Sequence, residues 1–295
     1  SVYGSFMYVY TLISFFPLIS KLGLDQGLVS FIPKLTEESE IEKRNSLITF
    51  VFIINIIISV VLSIIFIFNS DLIAINILNN KGSSGILKIL SPLILFLSFI
   101  KLSKGLFRGI GNIEYFIKGK NIISPSFKVI IILITYFLGY KLYGIVASFY
   151  ISIILTCLYF LIVIKKFGFF KKISFKYTSI YKEVILFSFP LLLNGVLGFF
   201  INKTDTFMIG YFLSGDKVGI YNIALRIGTM SSFVLTAFNT MFAPMISSLY
   251  HRGEMEKLAK MYKVITKWIL GTNLIAFFLI LLFSKERMHI FGTEF

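Results

Sequence analysis

The chain of 295 residues is poor in the residue types from which most catalytic centres are built. Its one cysteine, Cys157, lies inside an apolar stretch, so no disulfide framework exists. Two histidines, His251 and His289, cannot supply a histidine-rich metal site. Acids number 14 against 29 Lys and Arg, and the long connection at 69–86 has Asp71 as its one acid. A membrane glycosyltransferase would be expected to carry acidic catalytic or metal-binding residues in such a loop. There is no glycine-rich phosphate loop, no paired-carboxylate motif and no His/Cys metal spacing. No cleavable signal peptide heads the chain. These absences argue against an enzyme and against a metal or cofactor.

Apolar residues take up the room instead. They make up 57% of the chain, with 34 Phe and a mean hydropathy of +0.87. Segments 46–68, 142–164 and 227–250 contain no charged residue at all. A helix needs about 20 apolar residues to cross the hydrocarbon core. Eight spans are expected, at 3–20, 46–68, 87–107, 121–140, 142–164, 184–203, 218–248 and 264–284. The third and fourth hold Lys88, Lys101, Lys104 and Lys128 in them or near their ends, where long side chains snorkel to the interface. The expected class is an all-α integral membrane protein, multi-pass in the cell membrane. The formal charge of +15 would suit a nucleic-acid partner. That partner is set aside because the basic residues sit between spans and not on one soluble face.

Those cations are distributed unequally. Connections 21–46, 101–120, 165–182 and 249–267 carry 4, 5, 6 and 5 Lys and Arg. The alternate set (the N-terminus, 69–88, 139–144, 203–217 and 285–295) carries 0, 2, 1, 2 and 2. Positive loops face the cytosol, so the first set is expected there. Ser1 and Phe295 then lie outside, and a cytosolic start would require one more helix before Ser1. Phe167-Gly168-Phe169-Phe170-Lys171-Lys172 mixes aromatics with lysines, as suits the headgroup region, though topology alone accounts for it. The mixed-sign stretch 37–44 reads as solvated helix surface.

An internal echo links the two ends of the chain. Phe31-Ile32-Pro33 and Phe242-Ala243-Pro244 each close an apolar span and precede a short Glu/Lys connector. Six spans separate the copies, which gives them the same orientation and suggests two parallel six-helix lobes around a central cavity.

Polar residues inside spans are costly, so they mark candidate sites. Asn194, Gly198, Asn202 and Asp205 follow one another at spacings of four, four and three, one face of a helix. Pro190 removes a backbone hydrogen bond there and favours a bend. The next span carries Asn222, Arg226, Thr229, Phe233, Thr236 and Thr240 on a second such face. Arg226 lies roughly 12 Å from that helix start at about 1.5 Å per residue. Placing it there costs roughly 3 kcal/mol. Either it pairs with Asp205 and fixes packing, or it lines a cavity and attracts an anion. A guanidinium suits phosphate or diphosphate, because its donors form a planar fork. Lys203 adds positive potential near the outer mouth. Lys21 and Asp25, four apart, read as a local helix ion pair. Arg108 sits at the cytosolic end of the third span, where topology accounts for it and a headgroup is a second reading.

Several of these stretches resemble one family. Tyr3-Gly4-Ser5-Phe6, Leu22-Gly23-Leu24-Asp25-Gln26-Gly27 and Phe31-Ile32-Pro33-Lys34 look like the second helix of Wzx-type flippases. Pro190-Leu191-Leu192-Leu193-Asn194-Gly195, Asn202-Lys203-Thr204-Asp205 and Met208-Ile209-Gly210 look like the seventh. Val218-Gly219-Ile220-Tyr221-Asn222-Ile223-Ala224-Leu225-Arg226-Ile227 and Pro244-Met245-Ile246-Ser247 look like the eighth. These flippases form the polysaccharide transporter family of the multidrug/oligosaccharidyl-lipid/polysaccharide exporter superfamily. The resemblance implies a two-lobed exporter of 12 to 14 helices that moves polyprenyl-diphosphate-linked oligosaccharide to the outer leaflet by alternating access. It implies an N-terminal lobe at 1–165 without its first helix, a basic cytosolic connection at 166–182, and the start of a C-terminal lobe at 183–295. Arg226 and Lys203 would attract the diphosphate or acidic sugars, and Asn194, Asn202 and Asn222 would bond sugar hydroxyls. Asp205 would hold Arg226 or couple a proton or sodium ion. Lipid-linked oligosaccharide and membrane lipids are thus the expected partners. The competing reading is a cation-coupled multidrug antiporter of the same superfamily, with Asp205 as its ion site.

Overall fold

A computed structural model describes residues 2–35, 37–139, 141–169, 178–213 and 215–282. Among them, helix is the one regular structure. The helices are α1 (Val2–Ser20), α2 (Leu24–Phe31), α3 (Ile41–Phe68), α4 (Ser70–Asn76), α5 (Ser84–Leu90) and α6 (Leu93–Gly109). They continue with α7 (Ile113–Ile117), α8 (Ser124–Phe137), α9 (Lys141–Lys166), α10 (Thr178–Phe212), α11 (Gly215–His251) and α12 (Met255–Leu282). Five stretches among the described residues are long and apolar enough to cross a membrane, and Lys81–Leu90 with Leu93–Gly109 makes a sixth, bent by 50°. The bend falls at Ser91-Pro92, where proline has no N–H to continue the ladder. The expected seventh span falls within α11, of 37 residues, and the eighth overlaps α12, of 28 residues, up to Leu282, its last two residues lying outside the described ones. This is an all-α, multi-pass membrane protein.

The chain forms two contact units, Ser1–Val218 and Gly219–Phe295. In the first, α6 is the central strut and packs against α1, α2, α3 and α9. Leu102, Leu106 and Phe107 of α6 are fully buried, as are Leu24 and Leu28 of α2. Glycines set how closely these elements approach. A side chain at Gly105 would strike the Asp25 backbone, and one at Gly109 would meet the Leu28 carbonyl. That is a Gly-x-x-x-Gly face, which lets two backbones come together. On its other side α2 meets α10, where Gly23 and Gly27 pack against Ser188. Helix α10 runs without a break through Pro190 and also packs on α1. In the second unit, α11 runs unbroken from Gly219 to His251 and α12 follows after a short turn closed by Gly253 (φ 71°).

Three details depart from the sequence reading. First, the chain does not leave the fold at residue 21. It breaks for three residues, with Leu22 and Gly23 at φ 49° and 72°, and resumes as α2. Lys21 therefore lies in the packed interior and not in a loop. Second, α11 continues past residue 244 to His251, whereas α2 ends at Phe31 and Pro33 sits in a single 3-10 turn. Proline closes a helix in one copy of the echo and lies within one in the other, so the likeness is partial. Third, the 69–86 connection is folded: α4 and α5 are tied by Asp71, which accepts hydrogen bonds from Ser84 and from Lys88, the latter at 3.3 Å. Those two partners, Ser84 first, hold its carboxyl below the usual carboxylate range. Lys171, Lys172, Lys285, Arg287 and His289 lie outside the described residues, as do the side chains of Phe233 and Thr240.

Candidate functional site

The residues picked out from the sequence fall on two helices. Asn194, Asn202, Lys203 and Asp205 belong to α10 in the first unit; Asn222 and Arg226 belong to α11 in the second. Asn194 is exposed, between the exposed Leu193 and Leu197. Asn202 is also exposed, and its amide donates to the Gly198 carbonyl one turn back at 2.6 Å. Lys203 and Asp205 are half-buried. The Asp205 carboxylate accepts from the Thr206 backbone N–H at 2.7 Å and from its hydroxyl at 3.4 Å. Asn222 is buried at 4% exposure and Arg226 is exposed, with Thr229 donating to the Arg226 carbonyl at 3.0 Å.

The first unit holds a second polar set, deeper and more closely tied. Lys21 Nζ meets Asp25 Oδ2 at 2.6 Å, with side chains 13% and 12% exposed. That is the expected i,i+4 pair, but it is buried. The other Asp25 oxygen, Oδ1, is buried without a hydrogen-bond partner among the described residues. Lys101 of α6 is half-buried, donates to the Ser14 carbonyl at 3.3 Å, and lies within Coulombic reach of Lys21 and Asp25. Two lysines and one carboxylate thus gather in this buried pocket of the first unit. Between α3 and α6, Ser98 donates to Asn55 Oδ1 at 3.2 Å and shares a 2.7 Å bond with Ser59. All three residues are fully buried, and the Asn55 amide nitrogen has no partner. Their serines carry no charge and follow no motif, so sequence periodicity did not separate them from ordinary span residues.

A cavity of about 560 Å³ opens where α2, α3, α6 and α9 end. Its wall includes Arg44 and Arg108, the apolar Ile32, Pro33, Phe167 and Phe169, and the turn at 109–112. Gly111 (φ 75°) shapes that turn: its N–H bonds the Arg108 carbonyl and the Asn112 N–H bonds the Phe107 carbonyl. Both carbonyls are thereby satisfied within the helix end. Arg44 corrects the reading of 37–44 as solvated surface. It is half-buried, its guanidinium lies 5.5 Å from the centre of the Phe169 ring, and its buried Nε has no hydrogen-bond partner among the described residues. Three of the four basic connections meet in this wall. Among the described residues, no group of three His, Cys, Asp or Glu side chains is placed to hold a metal ion.

The family described as "Polysaccharide biosynthesis protein" matches residues 1–250. The "Probable low-salt glycan biosynthesis flippase Agl15" of Haloferax volcanii is 31% identical over 129 residues, covering 42% of this chain and 26% of that protein. The chain thus matches about a quarter of that curated relative's length. Among solved structures, an inward-facing multidrug resistance MATE family transporter of the MOP superfamily aligns over 99% of this chain and 68% of its own, at TM-score 0.69 and 17% identity. An outward-facing transporter of the same kind aligns over 95% and 64%, at TM-score 0.56 and 16% identity. At those identities the likeness concerns the fold alone. The resemblance of the α1–α2, α10 and α11 stretches and the match over residues 1–250 agree: the chain belongs to the polysaccharide biosynthesis protein family.

Proposed function

We propose that the protein is a flippase for polysaccharide export. It moves polyprenyl-diphosphate-linked oligosaccharide from the cytosolic to the outer leaflet by alternating access. The observation that carries this reading is the unbalanced set of buried charges in the helix bundle, two lysines against one carboxylate at Lys21, Lys101 and Asp25. A cation is costly there unless an anion or water-filled path meets it. A diphosphate is such an anion, and it is the charged part of a lipid-linked sugar. In this reading Arg226 and Lys203 attract the diphosphate, and Asn194, Asn202 and Asn222 bond sugar hydroxyls. Asp205 holds Arg226 or couples a proton or sodium ion. The lobes divide at 166–182.

The test uses the full-length gene in its deletion strain, with the leaflet that holds lipid-linked oligosaccharide as the readout. Cytosolic accumulation is expected, cleared by the wild-type gene, not by Arg226→Ala and in part by Arg226→Lys. Full export by Arg226→Ala at normal expression removes the role assigned to Arg226. The shared fold of multidrug transporters and the buried carboxylate of Asp25 favour one other reading, a cation-coupled drug antiporter. No accumulation in the deletion strain, with surface glycan unchanged, selects it.

A further inference from the structure

The cavity at the ends of α2, α3, α6 and α9 uses none of the residues assigned above to the transported substrate. Among the described residues, two guanidiniums, Arg44 and Arg108, line it, and no carboxylate does. Among the described residues neither has an ion-pair partner within 4.0 Å. A half-buried arginine whose Nε bonds nothing among the described residues is an incomplete arrangement, because a lost hydrogen bond to a charged group is costly. Phe169 supports its guanidinium from one side, as aromatic faces do for cations, and leaves the fork free for an acceptor. The acceptor that suits two planar forks is a tetrahedral oxyanion.

Apart from Asn112, the other side chains of the wall are apolar. Ile32 and Pro33 stand on one side, and Phe167, itself 37% exposed, on the other. A soluble phosphate has no use for such a wall. The first carbons of a lipid do. The position agrees, since residues of the connections 21–46, 101–120 and 165–182 all contribute to it, and their charge assigns this face to the cytosol. Basic pockets between membrane helices on that side meet an anionic leaflet.

We propose that this cavity holds the phosphoryl headgroup of a resident anionic phospholipid of the cytosolic leaflet, clasped by Arg44 and Arg108. The apolar wall of Ile32, Pro33 and Phe167 takes the carbons next to the phosphate. The site makes lipid composition a condition for the packing of four helix ends.

The test uses the full-length protein in nanodiscs of phosphatidylcholine, with labelled phosphatidylglycerol as the probe. Saturable retention of phosphatidylglycerol is expected, weakened about fivefold by Arg44→Gln or Arg108→Gln and about 30-fold by both, on the scale of one surface cation each. Arg44→Lys with Arg108→Lys is expected to fall between, having charge without the fork. Arg226→Ala is expected to retain the lipid fully, so the result stands whether or not the transport reading does. Equal retention of labelled phosphatidylcholine, or wild-type retention by the double Gln variant, overturns the proposal. Displacement by 10-fold excess of inorganic phosphate would mark a soluble-anion site, and displacement by a short polyprenyl diphosphate a substrate site; either result overturns it. Should the double Gln variant fail to fold, the wild-type protein decides. Retention that does not weaken with rising salt is incompatible with two guanidiniums on a phosphate.

Discussion

At the scale of single residues, the charges within the membrane are the most exacting feature. The Lys21–Asp25 pair is about nine-tenths buried, and Lys101 stands close by. A buried pair contributes little net stability, but breaking it leaves an uncompensated charge at a cost of about 3 to 5 kcal/mol. Asp25→Ala is therefore expected to lower the melting temperature of the detergent-solubilised protein clearly, and Lys21→Met with Asp25→Leu to recover most of the loss. Equal melting of Asp25→Ala and wild type would mean that the ammonium finds water or another acceptor. Residues of this kind differ in how legible they are from sequence. Arg226 stood out because it interrupts an apolar run at helical spacing. Arg44 did not, because Glu40, Glu42 and Lys43 surround it in a stretch that looks solvated, and the Phe169 beneath it is 125 positions away. Lys21 was legible as a partner for Asp25, but its burial depends on α2 folding back into the core.

At the scale of elements, the contact between α2 and α6 is made by what is missing from side chains. A Cβ at Gly105 would overlap the backbone of Asp25, and relief requires the two helices to separate. Gly105→Leu is expected to cost well over the roughly 1 to 3 kcal/mol of ordinary overpacking and to abolish accumulation of folded protein. Gly85→Ala is the matched control: nothing lies within 4 Å of a Cβ there, so wild-type melting or slightly better is expected. Melting temperatures of the two variants, measured side by side, check both. The spans themselves were legible because apolar length alone defines them. Their interruptions were less so. The bend at Ser91-Pro92 carries a proline, but the stop at 21–23 turns on left-handed backbone at Leu22 and Gly23, and no pattern announces a leucine there. A further interruption is the π-helical turn at Lys118–Ile123, within which a Cβ at Gly119 would run into the Phe160 ring of α9.

At the scale of the whole molecule, the charge asymmetry fixes an orientation that labelling can read. With the buried Cys157 replaced by Ser, Gly82→Cys is expected to react with a membrane-impermeant maleimide in intact cells. Asn112→Cys is expected to react after permeabilisation alone. The opposite pattern would turn the molecule over and move the cavity of Arg44 and Arg108 to the outer leaflet. The family and the membrane class were legible in full because they rest on composition and on motifs spread along the chain. The meeting of three basic connections in one wall was not, since it depends on where four helices end in space. One arrangement ties these levels together mechanically. Helix α2 is a thin shim, held against α6 by Gly105 and Gly109 and against α10 by Gly23 and Gly27. A shim fitted this closely on both sides has little room to shift alone, so travel of α10 is expected to bear on α2, whose far end carries Ile32 and Pro33 into the wall of the arginine cavity.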